Sequence, residues 1–118
     1  MPGLVSRWID RLSVERQEDE ELRSRTRAAG CSSIAETSAR TRTEVHGVLT
    51  SVTLRPLGDV TALEAELYDG TGSVTLVWWG RRRIEGIRPG RSLTATGRLG
   101  TRGTERVIYN PAYRLDAA

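Results

Sequence analysis

At 118 residues the chain is long enough for one ordinary domain and too short for two. Its 18 basic residues, all Arg, stand against 15 acidic ones for a formal net charge of +3, so only the placement of charge can argue for a polyanionic partner. A lone cysteine (Cys31) excludes an internal disulfide and a Cys-rich zinc site, and a lone histidine (His46) leaves little for metal or acid–base chemistry. Apolar runs of only a few residues offer neither a membrane span nor, in residues 1–12, a signal peptide, and a cytoplasmic location is expected.

Leu4, Val5, Trp8, Ile9 and Leu12 recur at helical spacing and predict a short amphipathic helix with one apolar stripe. Ser13 can cap a second helical segment, in which Glu18, Asp19, Glu20 and Glu21 precede Arg23, Arg25 and Arg27 at spacings that allow ion pairs. Gly30 stops it. From Cys31 to Thr43 small polar and charged residues predict a linker, so 1–43 reads as a helical, charged arm.

At Glu44 the pattern turns to strands. Val45 to Leu54 is β-branched and alternating, with Gly47 as a kink point, and Arg55-Pro56-Leu57-Gly58-Asp59 is a turn. Thr61 to Asp69 sets Leu63, Ala65 and Leu67 against Ala62, Glu64, Glu66 and Tyr68, a half-buried strand. Asp69-Gly70-Thr71-Gly72 is a tight hairpin leading into a third strand, Ser73 to Trp79. A brief helical turn is expected over Gly80 to Gly86, broken by Arg88-Pro89-Gly90. Two further strands, Ser92–Leu99 and Thr104–Tyr109, follow, and Asn110-Pro111 is expected to end the sheet. The fold class is mainly β: a five-stranded Greek-key barrel over 44–114, with a short helix between the third and fourth strands and a tail at 115–118.

The ordered set Val45-His46-Gly47-Val48, Leu67 to Gly72, Val74 to Trp79, Ile87-Arg88-Pro89-Gly90, Ala95-Thr96-Gly97-Arg98 and Tyr109 to Tyr113 resembles OB-fold nucleic-acid-binding domains. The likeness is to the wedge domain of the bacterial helicase that remodels branched DNA and, more distantly, to the anticodon-binding barrels of class II aminoacyl-tRNA synthetases. The whole chain is similar to small actinobacterial OB-fold proteins. The resemblance implies nucleic-acid binding without implying a reaction. A chain with no Lys holds no Gly-x-x-x-x-Gly-Lys-Ser/Thr motor loop, so any unwinding would be borrowed from a partner.

OB barrels bind single strands across the outer face of strands two and three, between flanking loops, with basic grooves and aromatic platforms. By alternation Trp78 points inward as core, and Trp79 points outward, either as a base platform or packed under the arm. Arg81, Arg82 and Arg83 follow at once, as phosphate contacts or as a solvated charged run. Arg55 in the first loop, and Arg102 and Arg106 around the last hairpin, place charge on both sides of the expected groove, while Tyr68 and Thr75 join the candidate set on strands two and three. Glu64 and Glu66 share the outward parity of Tyr68 and repel phosphate, so either the site shifts toward strand three and the last hairpin or another chain covers strand two. Tyr68, Tyr109 and Tyr113 are candidates for stacking or for buried packing. Tyr109 reads as core, His46 as a surface residue, and Cys31 as a thiol without a base beside it.

No nucleophile–base pair, paired carboxylates or metal cluster is recognisable, so no catalytic residue, metal or cofactor is assigned. The reading is non-catalytic binding of single-stranded or branched DNA, or of structured RNA. The alternative is a protein-interaction adaptor that docks or self-associates through Leu4, Trp8, Ile9 and Leu12, with the barrel as scaffold.

Overall fold

A computed structural model describes residues 3–117, with side chains from residue 14 onward. Helix α1 (Gly3–Ala28) leads through a 3-10 turn (Ile34–Glu36) into strands β1 (Arg42–Leu57), β2 (Val60–Tyr68), β3 (Ser73–Trp79), β4 (Ser92–Arg102), β5 (Glu105–Tyr109) and β6 (Ala112–Leu115). The strands lie in the order β1-β2-β3-β5-β4-β6, and a further β1–β4 pairing closes the first five into a ring. All pairings are antiparallel except β3–β5. The expected OB-type Greek-key barrel is present.

Alternation fills it. Leu63, Ala65 and Leu67 from β2 meet Val74, Leu76 and Trp78 from β3, with Val45, Leu49, Leu93, Ala95, Leu99 and Ile108 completing the core. Trp78 is 6% exposed, and its indole N–H donates to the Pro111 carbonyl at 3.2 Å, which satisfies the one polar atom that a buried Trp brings with it. One end is closed by the 3-10 turn, whose Ile34 is fully buried, worth roughly 1.5–3 kcal/mol. Asp69 holds that plug in place. Its Oδ2 accepts the Ile34 N–H at 2.8 Å, and its Oδ1 accepts from Thr71 N–H, Thr71 Oγ1 and Gly72 N–H at 2.9, 2.6 and 3.1 Å.

The C-terminal half of α1 docks on the barrel. Arg23 Nε donates to the Gly70 carbonyl at 3.0 Å, Thr26 Oγ1 to the His46 carbonyl at 3.3 Å, and Tyr68 OH to Asp19 Oδ1 at 2.9 Å. Gly70 permits this approach: its φ is +88°, and a Cβ there would collide with the Asp19 carbonyl. No helix is long and apolar enough to cross a membrane among the described residues.

Several expectations are corrected. One continuous helix replaces the two segments divided at Ser13, although Gly30, with φ +72°, does end it. The side chains of Leu4, Trp8, Ile9 and Leu12 lie outside the described residues. The first strand runs from Arg42 to Leu57, with its register shift between Leu49 and Ser51 and not at Gly47. No helix forms between β3 and β4. Positive φ at Gly80 (+72°) and Gly86 (+82°), followed by Pro89, leaves a loop with two separate i→i+3 bonds, from Ile87 N–H to the Ile84 carbonyl at 3.1 Å and from Arg91 N–H to the Arg88 carbonyl at 3.2 Å. Asn110-Pro111 does not end the sheet: Asn110, at φ +50°, turns the chain into β6, which pairs with β4. His46 is buried and not on the surface, because Asp116 beyond β6 comes within 2.7 Å of its Nε2 and α1 lies over its backbone.

Candidate nucleic-acid interface

The register places one row of the sheet's outer face through Thr53, Glu64, Val77 and Tyr109, with Ala62 opposite Trp79 beside it. On this face Ala62, Val77 and Val107 form a small apolar layer separate from the barrel core, with Leu57 packed against it.

Trp79 and Tyr109 stand on this face as a stacked pair. Their ring centroids are 6.2 Å apart with planes inclined by 28°, and the two residues are 44% and 43% exposed. The expectation that Tyr109 is core is therefore overturned. Val107 and Tyr109 point outward together, whereas Ile108, between them, enters the barrel. The backbone fixes the pair. Trp79 N–H donates to Asn110 Oδ1 at 3.0 Å, Asn110 N–H to the Val77 carbonyl at 2.6 Å, and Gly80 N–H to the Thr61 carbonyl at 2.7 Å. These bonds fix the backbone that carries the two rings, so binding has less backbone freedom left to remove.

Directly after Gly80, Arg81, Arg82 and Arg83 are all exposed. None has an ion pair or side-chain hydrogen bond among the described residues. Their guanidinium groups supply planar donors suited to phosphate.

Arg55 and Arg102 also reach the outer face, but both are engaged by Glu64. Arg102 grips Glu64 through two parallel bonds, Nη1 to Oε2 at 3.0 Å and Nη2 to Oε1 at 2.9 Å. The same guanidinium holds Glu105 Oε2 through Nε at 3.2 Å and Nη2 at 2.9 Å, and Arg55 Nη1 lies 3.4 Å from Glu64 Oε1. Glu64 is only 8% exposed, and its bonds to Arg102 hold its carboxyl below the usual carboxylate range against the opposing effect of burial. The pairing in turn pushes the Arg102 pKa further up. Thr75 is half-buried on the same face, opposite Glu66, and Glu66 is exposed.

Other candidates are placed elsewhere. The Tyr68 hydroxyl is bound to Asp19 of α1; burial and that hydrogen bond push its pKa up and keep it a donor. Arg106 has the parity of Ile108, and its Nη2 donates to the Ala35 carbonyl at 3.2 Å, beside the 3-10 turn. Tyr113 packs edge-on to Trp78 at 5.7 Å. Burial, then the Glu44 carboxylate, pushes the Cys31 thiol up, the opposite of what a nucleophile requires. The structure thus gathers Trp79 and Arg81–Arg83 with Tyr109, which parity had assigned to the core, and with the unanticipated Asn110, sets Arg55, Arg102 and Thr75 beside them, and leaves Tyr68 and Arg106 apart.

No family model matches the chain, and no curated protein matches it. Among solved structures it is similar to RecG bound to a three-way DNA junction, with a TM-score of 0.55 and 20% identity over 64% of this chain and 11% of that one. It is also similar to the p204 HINb domain, with a TM-score of 0.59 and 16% identity over 78% of this chain and 50% of that one. The chain thus spans half or less of each of these structures. At such identities the likeness establishes the OB fold.

Proposed function

We propose that this OB-fold protein binds single-stranded or branched nucleic acid without catalysis, stacking bases on Trp79 and Tyr109 and holding backbone phosphates with Arg81, Arg82 and Arg83. The observation that carries the reading is the exposed, backbone-anchored aromatic pair followed at once by three unpaired arginines among the described residues. Every base has a π-face, so stacking accepts any sequence and contributes about 1–3 kcal/mol per base, while phosphate contacts add a salt-dependent part. The RecG structure, solved on a three-way DNA junction, supports a DNA ligand with an unpaired or branched element. Stacking also needs bases that are not already paired, which favours single strands and junctions over uniform duplex. Arg55, Arg102 and Thr75 flank the track; Tyr68 and Arg106 lie off it.

Fluorescence anisotropy of labelled single-stranded DNA, matching RNA and matching duplex, at low and moderate salt, tests the reading. Micromolar or tighter binding that prefers unpaired strands and weakens with salt is expected. No binding to any of the three at low salt refutes it.

A further inference from the structure

We infer that Glu64 stands where a backbone phosphate would lie between Arg55 and Arg102, and so confines a bound strand to the Trp79–Tyr109 side of the sheet. The inference rests on the nucleic-acid reading and goes on to assign the residue that limits the footprint.

The β1–β2 and β4–β5 hairpins bound an open cleft of about 560 Å³ lined by Arg55, Leu57, Arg102, Gly103, Thr104 and Glu105. Loops in this position flank bound strands in OB folds. Here Arg102 is already occupied, and Arg55 is tied to Glu64 by one contact of 3.4 Å. A guanidinium fork holds a carboxylate and a phosphate in the same two-bond geometry, and Arg102 spends that fork on Glu64. Its Nε and Nη2 also reach Glu105, so each of its three nitrogens is engaged. Two arginines against two glutamates leave the cluster with no net charge.

Glu64 is also not an ordinary surface acid. It is buried over the apolar layer, where an opposed charge is needed, and it cannot swing into solvent without uncovering Arg102. Its position matters for a ligand. Glu64 pairs with Val77, and Val77 with Tyr109, so Glu64 lies two strand spacings, about 10 Å, from Tyr109, while Trp79 stands on the neighbouring strand two residues beyond Val77. A strand stacked on Trp79 and Tyr109 and continuing across β2 meets a cluster with no net charge, in which the Arg102 fork is taken up and only Arg55, held by one long contact, keeps spare donors. Continuing past the end of β3, it meets Arg81–Arg83. The wild-type footprint is therefore short, and Glu64 sets its limit.

The test measures affinity against oligonucleotide length, from about four to about sixteen nucleotides, the range over which OB folds differ in site size. Wild type, Glu64→Gln, Glu105→Gln and Trp79→Ala are compared at two salt concentrations, with thermal melting to confirm folding. Wild-type affinity, corrected for the number of binding registers, is expected to level off on the shortest oligonucleotides. Glu64→Gln keeps an acceptor for Arg102 but removes the competing charge. It should bind the longer strands about fivefold more tightly at low salt and steepen the salt slope by about 0.7, the value for one added single-strand phosphate contact. The shortest strands should show no gain. Glu105→Gln alters an exposed acid and should move the same way by less, and it decides the question if Glu64→Gln fails to fold. A folded Glu64→Gln, or failing that Glu105→Gln, with unchanged affinity and slope at every length overturns the inference; Trp79-dependent wild-type binding would then leave the parent reading standing. Absence of binding by every variant at low salt removes both. Binding by Glu64→Gln alone also removes both, because wild type must bind the shortest strands.

Discussion

Replacing Trp79 with Ala should impair binding while leaving the barrel folded, because the side chain stands largely outside the core. With the ring 44% exposed, its truncation removes the stacked contact with Tyr109, worth about 0.5–1.5 kcal/mol, together with partial cover over the apolar layer. The anchoring bond to Asn110 uses the backbone N–H and survives the substitution. In the complex the loss is a stacked base, about 1–3 kcal/mol, which corresponds to a rise in Kd of about five- to 150-fold. Anisotropy titration with a short single strand measures the binding loss, and urea unfolding measures the stability change. Trp79→Ala, Tyr109→Ala and the double variant form a cycle in which two bases on one continuous platform should couple. A Kd unchanged within about twofold refutes the platform. A stability loss beyond about 3 kcal/mol, the scale of a core truncation, identifies Trp79 as structural.

Changing Arg81, Arg82 and Arg83 together to Ala should lower the salt slope of single-strand binding by up to about 2, since each single-strand phosphate contact contributes about 0.7; an unchanged slope makes the run a bystander. Asp69→Ala leaves the buried Ile34 N–H without its acceptor and unties the β2–β3 hairpin, so urea unfolding should show a loss of about 2 kcal/mol or more, and a neutral result contradicts its role as anchor of the plug. Acid should reveal the Glu64 pair. Its folded carboxyl binds a proton less readily than in the unfolded chain, so its contribution to stability is complete above the unfolded value and is lost as pH falls through the depressed folded value. Wild type should therefore exceed Arg102→Gln in urea midpoint most at neutral pH, with the gap shrinking below the ordinary carboxylate range; a gap constant with pH contradicts the assignment.

Regular alternation made the inner face legible from sequence. Leu63-Ala65-Leu67 and Val74-Leu76-Trp78 reveal their shared side through period two alone, and Trp79 follows as the outward residue. Tyr109 was misread because Val107 is buried, but on the outer layer and not in the barrel: burial on both faces removes the contrast that parity depends on. Local alternation gives no help, because the charged Arg106 shares its parity with the inward Ile108. Glu64 looked like an exposed repulsive charge because its partner, Arg102, is 38 residues away, and pairing across hairpins leaves no local pattern. His46 escaped for the same reason: Asp116 is 70 residues distant. The missing helix shows composition losing to backbone. Arg81 to Glu85 tolerates a helix, but the positive-φ glycines at its ends do not continue one.

The central claim is that bases stack on Trp79 and Tyr109, and a titration of the isotopically labelled protein with a short single strand, followed by amide and indole NMR spectra, tests it at the residues themselves. The account predicts that the Trp79 indole N–H and the backbone amides of Val77 to Arg83, Tyr109 and Asn110 shift progressively and saturate together, while Gly70 and the Asp69 hairpin stay fixed. Shifts centred instead on Glu44, Thr94 and Arg114, or no shift at concentrations that saturate anisotropy, would contradict it.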